Sequence, residues 1–473
     1  MSSVKKNVIY NSFYQILIIV IPLITTPYVS RVLGKESIGL YSYYNAIALY
    51  FGMFILLGIN NYGNRTIATE KVKGKEKLSK AFWSIYFMQI LLGIVVIAIY
   101  IGFIVFFAEN KKMGMVQTIY LLSVVLDINW FYFGMEEFKF TVTRNSIIKI
   151  FSTISIFLLV NDRQDIYVYS FIMVVSLCAS QIVLFIFLHK YIYFVPVHLK
   201  DVLPHIKPNL ILFIPVIAVS IYKIMDKIML GFFTNMGEVG IYENSEKIIR
   251  VPTALITALG TVMLPKMTSL IALQKYNEAK RFIEVSLLYS VVVSSILCFG
   301  MVGVLPEFVP MFYGKGFEKC IQVIEIVILS SIFLAWGNVI RTQYLIPMKK
   351  DDIYIKSAIY GAVFNFIINL ALIFKLLSVG TAIGTLIAEG FVCFYQCIKI
   401  RKELDFKKYF LICIPFVIIG GVMALILRNI QIFTNPLLSM FSKIVLGGVF
   451  YIVLGGVILL IYKKKHIVNI RIK

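Results

Sequence analysis

The hydrophobic positions along the chain come in long blocks separated by short, lysine-rich polar segments. Fourteen blocks can be drawn: 8–29, 37–59, 81–107, 115–136, 147–160, 166–188, 209–232, 241–265, 283–305, 321–346, 357–376, 380–398, 409–427 and 437–462. A helix needs about 20 apolar residues to cross roughly 30 Å of hydrocarbon. All the blocks reach that scale except 147–160, which is short unless 144–148 also lies in the membrane. No segment alternates apolar and polar residues with the two-residue period of a membrane β-barrel. The pattern predicts an all-α integral membrane protein with about fourteen transmembrane helices.

Composition agrees: 60% of residues are hydrophobic and 15% charged, against about 25% charged in soluble domains. Lys5 and Lys6 run directly into the first block, which is too long for a signal-peptide core and lacks a small-x-small cleavage site, so it reads as a retained span. The net charge of +22 would suit nucleic acid, but its distribution argues otherwise. With the N-terminus inside, the lysines and arginines concentrate in the predicted cytoplasmic segments. The main groups are Arg65 to Lys80, the 399–408 loop and the tail after Tyr462. That is the positive-inside rule, and no aromatic base-stacking platform accompanies it. No nucleic-acid partner is expected. Both termini are expected in the cytoplasm, and the short outer loops leave no room for an extracellular domain.

The chain repeats itself. IPLITTPYVSRVLGKESIGLYSYYNAI, beginning in the first block, is echoed by IPVIAVSIYKIMDKIMLGFFTNMGEVGIYENSEKI in the seventh. Pro22 matches Pro215, Leu33-Gly34 matches Leu230-Gly231, and Gly39-Leu40-Tyr41 matches Gly240-Ile241-Tyr242. Six spans separate the copies, so both point the same way, as in transporters built from parallel repeats. The expected organisation is an N-lobe (1–188), a proline-broken cytoplasmic linker with an interfacial helix (189–208), a C-lobe (209–400), and two further helices with a basic tail (401–473).

Charges inside spans carry the sharpest chemical signal. The seventh span holds Lys223, Asp226 and Lys227, and the eighth holds Glu243, Glu246, Lys247 and Arg250. Each costs roughly 2.5–3.5 kcal/mol at a lipid-exposed helix centre. Seven facing lipid would cost roughly 20 kcal/mol, beyond a typical fold stability of about 5–15 kcal/mol. They must face one another or water. Glu243 with Lys247 and Glu246 with Arg250 are i, i+4 pairs with glutamate first, the favourable order, so a structural ion-pair network accounts for part of the pattern. The alternative is a hydrated cavity holding an anionic substrate group. Four cations against three carboxylates favour the anion. Lys247 and Arg250 would lie roughly 9–14 Å deep at 1.5 Å per residue.

Other intramembrane polar groups are less specific. Asp127, Glu325 and Glu389 are candidates for binding a coupling ion, H⁺ or Na⁺, or equally for helix packing. Asn11, Gln15, Tyr41, Tyr44 and Asn45 suit sugar hydroxyls, though amides also hold membrane helices together. Arg65 stands where a phosphate would enter from the cytoplasm, or serves only as a positive-inside residue. Arg341 lies near enough to a helix end to snorkel. No metal site or cofactor is expected. The four histidines (His189, His198, His205 and His466) lack zinc spacing. The cysteines form no C-x-x-C pair, although Cys393 and Cys397 share a helix face. No G-x-x-x-x-G-K-[ST] motif supplies an ATP motor, and Asp351-Asp352 among lysines reads as a solvated turn.

Two six-span lobes, a linker and two appended spans resemble the MOP (multidrug/oligosaccharidyl-lipid/polysaccharide) exporter superfamily. Within it the chain is similar to Wzx-type flippases of polysaccharide repeat units. The segments carrying the likeness are TPYVSRVLGKESIGLYSYYNAI, LGINNYGNRTIA, and YKIMDKIMLG through VPTALITALGTVMLP. The last stretch also resembles lipid II flippases, in which an arginine precedes the proline by five residues. Here that position is Lys247, which keeps the charge but not the bidentate geometry.

The resemblance implies export of an undecaprenyl-diphosphate-linked oligosaccharide for capsule, O-antigen or exopolysaccharide synthesis, across the bacterial cytoplasmic membrane by alternating access. Membrane lipids and polysaccharide polymerase or assembly proteins would be its partners. Lys247, Arg250, Lys223 and Arg65 would hold the anion. Asn11, Gln15, Tyr41, Tyr44, Asn45, Glu243, Glu246 and Asp226 would line the sugar path. A cation-coupled multidrug antiporter of the same fold would need a more acidic cavity. A membrane-embedded polymerase or glycosyltransferase would need large outer loops.

Overall fold

The computed structural model describes residues 3–465, with side chains described except for 3–16, 19, 138–139, 214–215, 218–219 and 221–223. The described residues form helices: α1 (Ser3–Leu56), α2 (Ile59–Lys71), α3 (Lys75–Phe107), α4 (Lys111–Val125), α5 (Asn129–Gly134), α6 (Phe138–Leu159), α7 (Ile166–Leu188) and α8 (Leu199–Phe233). They continue with α9 (Met236–Ala272), α10 (Tyr276–Tyr313), α11 (Cys320–Ile340), α12 (Asp351–Leu376), α13 (Ser378–Lys399), α14 (Phe406–Asn429) and α15 (Pro436–Lys464). Twelve helical stretches among the described residues are long and apolar enough to cross a membrane. That count omits α8, part of which lies outside the described side chains, and it treats Val20–Lys71 as one stretch.

Two of the expected crossings lie end to end in α1, where the chain turns at Gly34 (φ 75°, ψ 170°), a conformation that a side chain would strain. The fourth expected span is α4 plus α5, broken at Leu126–Ile128. The fifth is longer than its apolar block: α6 begins at Phe138, so Arg144 lies inside the helix. A π-helical turn, Arg341–Leu345, ends α11.

The chain divides into two compact units, Met1–Gly240 and Ile241–Lys473. Compactness and internal repetition are different criteria, and the lobes read from the repeat remain a proposal. In the first unit α1 packs against α3, α4, α6, α7 and α8. A core of Phe82, Ile85, Trp130, Phe131, Tyr132 and Leu184 closes one end. The linker is strapped onto this end. Trp83 Nε1 donates to Tyr193 O at 3.0 Å, Lys80 meets Asp201 at 2.8 Å, and the Tyr62 hydroxyl lies 2.7 Å from His205 Nδ1. The hydrogen bond from Lys80 and the His198 backbone N–H hold the Asp201 carboxyl below its ordinary range. Burial lowers the pKa of His205.

Glycines allow one close approach in this unit. A Cβ on Gly39 would lie 1.6 Å from Met236 O, and one on Gly240 would lie 2.0 Å from Lys35 O. These are matching positions of the sequence repeat, and they meet backbone to backbone.

In the second unit α10 packs against α11, α14 and α15, and α13 bridges α11 and α12. The two C-terminal helices thus lean on α10. Lys350 and Glu403 form an ion pair (Nζ to Oε2, 2.6 Å) that Tyr344 joins through its hydroxyl, tying the 346–350 turn to the 400–405 turn.

Candidate substrate site

The site is best built from α9, whose sequence puts its charges on one side. At 100° per residue, Glu243, Glu246, Lys247, Arg250, Ala254, Thr257, Ala258 and Thr261 fall within roughly a third of the helix circumference. No large apolar residue shares that arc between 243 and 261, and none of the eight is buried. Lys247 Nζ lies 3.7 Å from Glu243 Oε1 and 3.3 Å from Asn244 Oδ1. Arg250 Nη2 donates to Glu246 Oε2 at 3.1 Å. Both sequence-expected pairs therefore form. The Lys247 side chain is 21% exposed and the Arg250 side chain 64%.

The neighbouring side of α9 anchors the stripe. Asn244 is fully buried, and Tyr313 on α10 donates to its carbonyl at 2.7 Å. Tyr242 shares a hydrogen bond with Thr385 on α13 at 2.9 Å. Asn338 on α11 reaches Thr257 O at 3.5 Å. One side of α9 is thus fixed to α10, α11 and α13, and the charged side stays accessible.

The other expected residues are placed differently. In the first unit, Asp226 and Lys227 on α8 are buried, at 3% and 9% exposure. Arg65 is exposed on α2. Lys223, Asn11 and Gln15 lie outside the described residues. Tyr44 is 2% exposed, and its hydroxyl accepts from Asn110 N at 2.8 Å. Asn45 Nδ2 donates to Gln117 Oε1 at 3.3 Å, and Gln117 Nε2 donates to Ser170 Oγ at 3.0 Å. Tyr41 meets Tyr169 edge to face at 5.1 Å. These contacts commit Tyr44 and Asn45 to packing α1 against α4 and α7.

Of the carboxylates considered for ion coupling, Glu325 is paired with Arg428 Nη1 at 2.7 Å, joining α11 to α14. Glu389 is half-buried on α13. Asp127 sits in the α4–α5 break, where its Oδ1 accepts from Asn129 N at 2.9 Å and Asn129 Nδ2 at 2.6 Å. Arg144 on α6, 5% exposed, donates to Asn129 Oδ1 at 3.1 Å and Asn145 Oδ1 at 2.6 Å. Sequence reading touched Arg144 only as the edge of a short block. Arg144 lies six residues into α6, and nothing in the apolar block itself announced that the helix starts at Phe138. Among the described residues no group of three or more His, Cys, Asp or Glu side chains could hold a metal. Asp351 and Asp352 occupy the exposed first turn of α12.

Comparisons with known proteins agree with this architecture. A protein of Escherichia coli (strain K12) named "Putative O-antigen transporter" is 25% identical over 416 residues, covering 85% of this chain and 97% of that protein. One of the same name from Shigella dysenteriae is 20% identical, over 83% of this chain and 98% of that one. The solved structure of the lipid II flippase MurJ in an inward closed conformation aligns with a TM-score of 0.75 at 15% identity, covering 97% of this chain and 99% of that one. An inward-facing multidrug resistance MATE family transporter of the MOP superfamily aligns with a TM-score of 0.59 at 12% identity, covering 87% and 96%. These two likenesses establish a shared fold. The profile of the family described as "Polysaccharide biosynthesis protein" matches residues 4–271. The chain therefore has the fold of these MOP-superfamily structures, with helices long and apolar enough for many membrane crossings, and it belongs to the polysaccharide biosynthesis protein family.

Proposed function

We propose that this protein flips a lipid-linked oligosaccharide across the bacterial cytoplasmic membrane, with undecaprenyl diphosphate as the carrier. The observation that carries the reading is the accessible arc of α9. The exposed faces of α3 and α15 present large apolar side chains, such as Ile94, Ile99 and Phe106 on α3 and Leu446, Ile452 and Leu460 on α15. The arc of α9 from Glu243 to Thr261 presents charges, threonines and alanines, with exposed Leu255 and Val262 only along its edge. A face of that composition is stable against water and costly against hydrocarbon. The names of the relatives support an oligosaccharide cargo, and the family membership supports a role in polysaccharide synthesis.

In this reading the headgroup enters a wet path and the polyprenyl tail stays in the bilayer. Lys247 and Arg250 hold the diphosphate as point charge and fork. Glu243 and Glu246 keep the two cations extended between transport cycles and release them when phosphate oxygens compete. Lys223 and Arg65 add positive charge along the path, and Tyr41 contacts sugar. The two repeat-derived lobes rock to expose the path alternately. An ion gradient or the membrane potential biases the direction, with Asp127 and Glu389 as coupling candidates. Both termini lie in the cytoplasm, and the product passes to a polysaccharide polymerase.

The test is surface polysaccharide, read alongside lipid-linked repeat unit accumulating inside, with variants compared at equal folded protein level. Lys247→Arg is expected to keep export and Lys247→Ala to lose most of it, while Arg250→Glu loses more than Arg250→Gln. Rescue of transport by the double change Glu243→Gln with Lys247→Gln would instead assign these charges to helix pairing and refute the proposal.

A further inference from the structure

Away from α9, the second unit carries a chamber where α10 and α14 end and α15 begins. Its volume is about 840 Å³, and its walls include Glu307, Arg428, Asn429, Asn435, Ser439 and Lys443. An apolar trough of about 450 Å³ adjoins it, lined by Leu297, Gly300, Met301, Met423, Gly447 and Gly448 among others, and again by Lys443. The glycines keep the trough open: a Cβ on Gly448 would meet nothing within 4 Å, and one on Gly300 only Met423 Cε at 3.8 Å. Lys443 therefore stands at the junction of a polar compartment and an apolar one.

The charges are incompletely used. Lys443 is 2% exposed and pairs with Glu307 Oε1 at 2.5 Å. Ser439 Oγ donates to the same Glu307 oxygen at 3.3 Å. Glu307 Oε2 is buried with no hydrogen-bond partner among the described residues. An ammonium has three donors, so a second acceptor beside Lys443 would be favourable, as would a donor beside Glu307 Oε2. Arg428, the other cation of the walls, is paired with Glu325 of α11.

We propose that this chamber and trough bind one phospholipid with a zwitterionic, primary-amine headgroup, phosphatidylethanolamine in chemical class. Its phosphate accepts from Lys443 and the chamber amides, its ammonium donates to Glu307 Oε2, and an acyl chain lies in the trough. A glycerol headgroup brings no cation to Glu307. A choline headgroup has no N–H to give Glu307. The site is separate from the charged face of α9 and does not depend on the flippase reading.

The experiment uses the full chain, purified in detergent and titrated with phosphatidylethanolamine, phosphatidylcholine or phosphatidylglycerol of identical acyl chains. Bound lipid is counted by native mass spectrometry and thermal unfolding is followed in parallel. Retention of one phosphatidylethanolamine per chain, about tenfold tighter than phosphatidylcholine, is expected from one lost charge-assisted hydrogen bond. The double variant Glu307→Leu with Lys443→Leu removes both charges together, so no unpaired ion is left behind. It should erase the headgroup preference while still binding lipid through the trough. Equal binding of the three lipids to the wild-type chain, or tighter binding of phosphatidylglycerol, would overturn the proposal, and that comparison stands even if the variant fails to accumulate.

Discussion

Replacing Gln89 with leucine should destabilise the first unit by about 2–4 kcal/mol. Gln89 on α3 is fully buried, and its amide caps the break between α4 and α5. Nε2 donates to Val124 O at 2.9 Å, Val125 O at 3.1 Å and Asp127 O at 2.9 Å. Oε1 accepts from Trp130 Nε1 at 3.1 Å. A broken helix inside a membrane is tolerated only when its freed backbone groups find partners, and here one amide, with two N–H donors shared among them, reaches three carbonyls.

Leucine has similar volume and no polar atoms, so little cavity forms. The consequences for the carbonyls differ. Val124 O still accepts from Asp127 N at 3.2 Å, and Asp127 O still accepts from Trp130 Nε1 at 3.1 Å. Val125 O is left without a partner among the described residues. One orphaned buried carbonyl costs about 1–3 kcal/mol, and two weakened ones add about 0.5 kcal/mol each. A unit of this size loses roughly 2–4 °C of melting temperature per kcal/mol, so about 3 kcal/mol gives a fall of roughly 6–12 °C. Fluorescence-detected size exclusion after heating measures it on unpurified protein. A fall of under about 2 °C would mean that water or a backbone adjustment replaces the cap, and the argument from Gln89 would be wrong.

Two further outcomes are expected. Single cysteines at Lys73, Lys402 and Lys464 should be shielded from an impermeant thiol reagent in intact cells and those at Lys112 and Lys315 labelled, in a background lacking Cys320; labelling at Lys73 would reverse the topology. Burial raises the Glu403 carboxyl, but hydrogen bonds from Lys350 and Tyr344 outweigh it and hold the group below the ordinary glutamate range. A depressed carboxylate stabilises the fold above its unfolded pKa of about 4.3 and loses that contribution as pH falls through the lower folded value. Wild type and Glu403→Gln should therefore differ in melting temperature above pH about 5 and converge as pH drops below about 4; a constant difference down to that range would contradict the assignment.

The fold was largely legible because a membrane imposes one rule, that every backbone group be satisfied within the segment, and helices announce themselves by apolar length. Where the reading fell short, a local polar device intervened. The block at 147–160 looked short because Arg144 interrupts the apolar pattern, yet Asn129 and Asn145 accept its guanidinium and the helix runs on to Phe138. The break at Leu126–Ile128 left no sign in α4 itself, since its partner, Gln89, is on another helix. The buried pair Glu307–Lys443 was equally out of reach. Its members are far apart in sequence, and only packing of α15 on α10 brings them together.

The candidate site was legible for a different reason, and only in part. Spacing alone gave the pairs Glu243–Lys247 and Glu246–Arg250, because i, i+4 proximity needs no tertiary structure. Spacing cannot say whether the pairs are buried, and exposure decides that. A pair packed in a dry interior would leave both side chains buried, whereas the Arg250 side chain is 64% exposed. A pair that exposed is worth about 0–1 kcal/mol in water, too little to offset roughly 2.5–3.5 kcal/mol for a charge at a lipid-facing helix centre. Pairing with Glu246 therefore cannot by itself account for an arginine deep in α9. Solvation can, and under the proposed function a side chain on a water-facing arc keeps its donors available to an anion.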